Sequence, residues 1–299
     1  MKYAFFFLLT SVCSLPVLVS AATISGNYQD TVCKKLYIGL YEQGLYQCVD
    51  SVVLDAEGRY TTTLPDDRRG MLLIACANDR PADRALNEAD NTSSLLFVYD
   101  GQDIAYDTSW RWHSSPDYLR VKQGGESTEL LQYLHHQRTE LYEHLSALET
   151  VIDLTEDREG ALFAALTEEY GKKLKSYNTT VQNVILVSEP GSLFHVSLEN
   201  MLEPETPAFL RGEARIDWLR EHFFDQAPLD NVLIYNTPFF TTRLRQYLYI
   251  WQPKGMASET DIANGKRRGI ALLKDRLASA DAASEALDEA VKKIMNDKQ

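Results

Sequence analysis

The chain has 299 residues, 44% of them hydrophobic and 24% charged, with 43 acidic against 30 basic side chains and a formal net charge of -13. A field of that sign excludes nucleic acid and anionic membrane as partners gripped through net charge. The length suits two modest domains better than one.

Lys2 opens a short basic start, Tyr3 to Val19 follow without a charge, and Val19-Ser20-Ala21 places small residues where a signal peptidase cuts. The apolar run is too short for a membrane span. Residues 1–21 are therefore predicted to be a signal peptide, with the mature chain starting near Ala22 in the periplasm or on the exterior of the cell envelope. Loss of Lys2 takes the net charge to -14. Cys13 follows Ser11-Val12 inside the apolar run, a poor lipobox, so an unlipidated product is expected. No later stretch is long and apolar enough to serve as a transmembrane anchor.

Residues 22–124 read as antiparallel β. Strands are expected over Thr23 to Tyr28 and Lys35 to Glu42, then, after a Gln43-Gly44 turn, over Leu45 to Leu54. The Asp55-Ala56-Glu57-Gly58 turn leads into Arg59 to Leu64, rich in Thr and Tyr. Met71 to Ala77 is a continuous apolar run, expected as a central strand. Ser94 to Tyr99, Asp100-Gly101 and Gln102 to Thr108 read as one more hairpin, and the region closes near Gly124-Gly125. Short strands with regular turn signals predict a β-sandwich or a barrel-like domain.

From Glu126 the period changes. Leu130, Leu134, Leu141, Leu145, Leu148 and Ile152 share one helical face, and Leu162, Leu166, Tyr170, Leu174, Tyr177 and Val181 repeat the pattern. Joined at Asp153-Leu154-Thr155, the two helices should pack as an antiparallel hairpin. Shorter helices are predicted over Ser192 to Met201, Arg211 to Phe224 and Thr237 to Trp251, the last with Thr237 as N-cap and Pro238 at the first helical position. Two further helices cover roughly 258–278 and 281–296. Residues 126–299 thus form an all-helical domain, and the fold class is α+β.

Without Cys13 the cysteines are Cys33, Cys48 and Cys76, an odd number, and no two stand as C-x-x-C. An oxidising compartment permits one disulfide among them, of unspecified pairing, and three buried thiols are the alternative. Trp110, Trp112 and His113, flanked by Tyr106 and Tyr118, form an aromatic cluster where the two regions meet. These rings read as a seal between strands and helices, with a glycan or peptide platform as the functional alternative. Tyr235, Phe239, Phe240, Tyr247, Tyr249 and Trp251 read as helical packing.

His136, Glu140 and His144 stand at i, i+4 and i+8 on the first long helix, spacing that lets two side chains chelate a metal. A solvated outer face is the plainer reading, because no third ligand set is visible. Ser51, after Asp50, lacks the exposed elbow of a nucleophile and reads as a ladder residue. No phosphate-binding loop or dinucleotide fingerprint appears, so no cofactor is implied.

The order of regions resembles exported Gram-negative proteins, of Bacteroidetes type, allied to the TlpA and ResA thiol-disulfide oxidoreductases. The stretches that carry this are Gly26, Lys35 to Leu40, Asp50-Ser51-Val52-Val53 and Asp55 to Tyr60 in the β region. In the helical region they are Trp218 to Asp225, Leu233 to Pro238 and Leu244 to Tyr247. The resemblance implies an N-terminal β-domain and a helical domain of the kind that precede a thioredoxin domain. Here the last helix is followed only by the end at Gln299, with no C-x-x-C and no room for a thioredoxin core, so the reductase activity does not carry over. The expectation is a non-catalytic accessory or binding protein, whose partner is a separately encoded thioredoxin-like protein or an envelope component. Thiol-disulfide chemistry through Cys33, Cys48 or Cys76 is the enzymatic alternative.

Overall fold

A computed structural model describes residues 21–29, 33–42, 44–65, 68–87, 94–109, 119–253 and 255–296. The predicted leader therefore lies outside the described residues, apart from Ala21. The architecture is α+β, with strands first and helices after them. Among the described residues, eight strands form two four-stranded sheets. The first has the order β4 (Arg59–Pro65), β1 (Ala21–Gln29), β7 (Ile104–Ser109), β8 (Arg120–Gln123). The second has the order β3 (Leu45–Val53), β2 (Lys35–Glu42), β5 (Gly70–Cys76), β6 (Ser94–Tyr99). The sheets are separate among the described residues, so the barrel-like option is not what forms.

The pairing corrects the expected all-antiparallel arrangement in one place: β1 and β7 run parallel, with Ile24 opposite Ile104. The predicted hairpin of 94–99 with 102–108 does not form either. β6 pairs with β5, and β7 pairs with β1 and β8 in the other sheet. Asp100-Gly101 is a tight turn, with Gly101 at φ 88°, but it carries the chain from one sheet to the other. A turn signal marks a reversal without naming the sheet that receives the next strand. The Glu42/Leu45 hairpin is as predicted.

The two sheets contribute to one buried cluster. Ile24, Tyr28, Tyr60, Leu64, Ile104 and Tyr106 from the first meet Leu36, Ile38, Leu72, Ile74, Leu95 and Phe97 from the second. β1 alternates buried and open positions, as a strand with one solvated face must, whereas every residue of β5 is buried. The other face of the second sheet is covered by helices: Tyr41, Met71 and Val98 belong to the cluster that holds Leu131, Leu134 and Leu198.

A short helix α1 (Ala82–Asn87) lies between β5 and β6, and after the strands come α2 (Glu126–Leu154), α3 (Ala161–Ile185), α4 (Leu193–Glu199), α5 (Gly212–His222), α6 (Pro238–Ile250), α7 (Glu259–Arg276) and α8 (Asp281–Asn296), with a 3-10 turn at Val232–Asn236. β8 and α1 are too short to leave a periodic signal. Gly124 sits at φ 70°, and a Cβ there would lie 1.9 Å from the Asp103 carbonyl oxygen, so glycine is required where strand gives way to helix. The Thr128 hydroxyl of the first α2 turn accepts the Val98 amide at 2.8 Å, covering the edge of β6. In α6 the Thr237 hydroxyl accepts the Phe240 amide, with Pro238 next in line, as the capping rule requires.

Two expected packing positions face outward instead. Leu162 is 62% exposed near the turn of the long hairpin, and Tyr249 is 73% exposed on α6. In α2 the buried stripe runs Leu131, Leu134, Arg138, Leu141, Leu145 and Ile152, while Leu130 and Leu148 are half-buried at its edge.

Candidate functional site

Trp110, Trp112, His113 and Tyr118, the aromatic cluster that could form a ligand platform, lie outside the described residues. Their neighbour Tyr106 is described and does not face a cleft. It is 2% exposed, and its hydroxyl is 2.8 Å from that of Tyr60 and 3.3 Å from that of Tyr28. Burial pushes all three phenols up from their ordinary value. A Cβ on Gly26 would lie 2.5 Å from the Tyr60 ring and 2.6 Å from the Tyr106 ring, so the three-tyrosine cluster fixes glycine at that point of β1.

Cys33 and Cys76 form a disulfide between the entry to β2 and the end of β5, with Cα atoms 6.0 Å apart. The two are 3% and 2% exposed. β2 and β5 are already neighbours there, Leu36 standing opposite Cys76, so the bond locks a register that the ladder sets. Cys48 is the free thiol among the described residues, exposed on β3. Partial burial and the Asp50 carboxylate raise its pKa, although a hydrogen bond to the Asp50 backbone and the charge of Lys35 pull the other way. An unactivated thiol is a poor nucleophile. Asp50 also takes the Thr62 hydroxyl and the Ser51 amide, which gives the Asp50-Ser51 pair a role in tying β3 to β4.

His136, Glu140 and His144 are all on the outer surface of α2, with His136 Nε2 3.4 Å from Glu140 Oε1. No group of three or more His, Cys, Asp or Glu side chains stands close enough to hold a metal ion among the described residues. Two of the three do share a groove. Gln137, Glu140, Leu141 and His144 of α2 face Lys173, Ser176, Tyr177 and Thr180 of α3 across a cleft of about 210 Å³. It presents a carboxylate, an ammonium, an imidazole and hydroxyls. Such a lining suits polar contact with a partner chain or a small zwitterion rather than metal ligation.

Sequence reasoning missed the most unusual chemistry in the helical part. Arg138, Glu203 and Arg243 are 8%, 6% and 1% exposed. Arg138 Nε donates to Glu203 Oε1, and Arg243 donates to the backbone carbonyls of Asn200 and Phe223 while its guanidinium lies over the rings of Phe223 and Phe224. Asn178 brackets Glu203 with two backbone hydrogen bonds, both 2.9 Å. Burial pulls Arg243 down from the ordinary guanidinium value, and the Glu203 charge opposes that pull. Tyr41 of β2 reaches this neighbourhood through a 2.6 Å hydrogen bond to Thr241. The signal available beforehand was an arginine inside an otherwise apolar stripe of α2.

A second polar cluster holds α5 to the long hairpin. The Arg215 guanidinium donates to Glu149 and, at 2.8 Å, to the Tyr170 hydroxyl. Arg211 pairs with Asp153 at 2.5 Å. No protein-family model matches the chain, and no curated protein matches it.

Proposed function

We propose that the chain is an exported, non-catalytic binding protein, an accessory relative of thioredoxin-like envelope proteins, whose two sheets pack as a β-sandwich carrying a helical domain. The observation that supports binding over thiol chemistry is the burial of the Cys33–Cys76 disulfide. Thiol-disulfide exchange needs an attacking thiolate to reach a sulfur, and these sulfurs lie in residues 3% and 2% exposed. Cys48 stands apart from them with a raised pKa. The disulfide also supports an oxidising compartment, in keeping with the leader-like first 21 residues.

The groove between α2 and α3 is the surface on which we place partner contact, since it gathers Glu140, His144 and Lys173 in reach of solvent. The experiment places a photo-crosslinking residue at Lys173 in cells, with an outward position such as Glu143 as control. A discrete adduct with an envelope protein at Lys173 alone is the expected result. In parallel, the purified protein should not accelerate insulin reduction by dithiothreitol. Acceleration that disappears in Cys48→Ala would overturn the non-catalytic reading.

A further inference from the structure

Between the segment after α5 and the junction of α7 with α8 lies an open cleft of about 480 Å³, remote in sequence from the α2–α3 groove. Its volume falls among small-molecule sites, which run from roughly 300 to 1,000 Å³. Phe224, Leu229 and Leu277 form its apolar base, and all three belong to the core beneath. Ala227 and Ala280 keep its walls short. The charged groups lining it are Asp225, Asp230 and Arg276, and two of these are already committed. Asp225 Oδ1 accepts from Arg276 at 3.1 Å, and its Oδ2 stands 2.6 Å from His222 Nδ1. Arg276 also donates to the Glu221 carbonyl. The Asp230 carboxylate forms no ion pair and no hydrogen bond among the described residues. The nearby Tyr235 phenol is not its partner: the hydroxyl donates to the Leu229 carbonyl at 2.8 Å, and burial, then the Asp230 charge, raise its pKa. The uncommitted charge at this apolar cleft is therefore negative.

We propose that the cleft binds a small amphipathic organic cation, a primary amine whose apolar body lies on Phe224, Leu229 and Leu277 while its ammonium pairs with Asp230. A bare divalent ion fits poorly, since one free carboxylate falls short of the several oxygen ligands such an ion takes. An anion of the same shape meets Asp230 as a like charge, and the Arg276 N–H groups that could oppose it are turned to Asp225 and Glu221. This site is separate from the surface assigned to partner contact.

The test titrates the purified chain with phenethylamine at constant ionic strength and follows the amide NMR signals of Ala227 and Ala280. Saturable shifts are expected with phenethylamine. None are expected with 3-phenylpropionate, which has a similar body and the opposite charge, or with ammonium chloride, which has the charge without the body. Asp230→Asn should weaken binding on the order of tenfold or more, the loss typical of a hydrogen bond to a charged group. Glu285→Gln, which removes the same charge from a different cleft on α8, should leave it unchanged and so separates the site from the general field of a chain of net charge -13. Ser279→Trp sets a bulky ring at the exposed mouth and should abolish binding. Absent or unsaturable shifts, equal binding of 3-phenylpropionate, or equal losses in Asp230→Asn and Glu285→Gln would each overturn the proposal.

Discussion

The molecule has two interiors built on opposite terms. Between the sheets the polar atoms include the neutral hydroxyls of Tyr28, Tyr60 and Tyr106, which bond to one another. At the centre of the helices they are the charges of Arg138, Glu203 and Arg243. The neutral cluster is local to strands already held by ladders, so it refines packing. The charged one joins α2, the segment after α4, and α6, so it dictates which helices meet. A buried ion pair adds little net stability compared with apolar packing, but losing one member is severe because the other is stranded. The difference teaches that the helical part is the more brittle of the two to single substitutions at polar positions.

The largest expected effect breaks that comparison at its charged end. Glu203→Leu strands two buried guanidinium groups and should cost about 3–5 kcal/mol, measured by urea unfolding. Replacing both Arg138 and Glu203 by Met and Leu should cost less than Glu203→Leu alone. A double variant no better than the single one would mean that the pair has no special coupling.

Next comes the covalent lock in the sheet half. Cys33→Ala with Cys76→Ala opens a loop of sequence separation 43, and a loop of that length is worth about 2–4 kcal/mol. The measurement is the melting temperature of the double variant against wild type, with reductant as a control. Because the bond joins strands already paired by hydrogen bonds, the variant should still fold, whereas Glu203→Leu should lose cooperativity in the helices.

The tyrosine cluster sets a pH response of its own. An unfolded tyrosine ionises near pH 10, but burial holds Tyr28, Tyr60 and Tyr106 protonated to higher pH. Above pH 10 the unfolded state therefore binds fewer protons than the folded one, and stability falls as pH rises. Stability from these groups is fully present below pH 10 and is lost from there upward, at about 1.4 kcal/mol per pH unit for each phenol. Tyr106→Phe should make alkaline unfolding shallower, as read by circular dichroism across pH 9 to 12. An unchanged slope would show that other groups govern it.

How much of this was legible beforehand depended on the range of the forces involved. Met71 to Ala77 announced a strand buried on both faces, because only such a strand tolerates an unbroken apolar run. Thr237-Pro238 announced a helix start through chemistry confined to four residues. The sheet switch at Asp100-Gly101 did not show, since the turn is local but the choice of partner strand depends on the whole β region. The disulfide pairing was equally hidden, because Cys33 and Cys76 meet only after β2 and β5 align. Arg138 drew no notice between Leu134 and Leu141, because its partner Glu203 lies 65 residues onward. Of the candidate site, the α2 half of the groove was visible in Glu140 and His144, while the α3 half required knowing how the hairpin closes.

The smallest expected effect comes from charges on the same helix as Arg138 but on its outer side. The side chains of His136 and Glu140 are 71% and 47% exposed, and their 3.4 Å contact sits in water. Solvent screens such a pair, and holding two long side chains in one geometry costs entropy that offsets most of the attraction. His136→Ala and His144→Ala should therefore each change stability by less than about 0.5 kcal/mol, and neither zinc nor a chelator should move the melting temperature. Loss of the Lys173 crosslink in His144→Ala, with unchanged stability, would sharpen the contrast by assigning the outer face of α2 to recognition and its inner face to structure. A zinc-dependent rise in melting temperature that vanishes in both histidine variants would instead restore the metal reading.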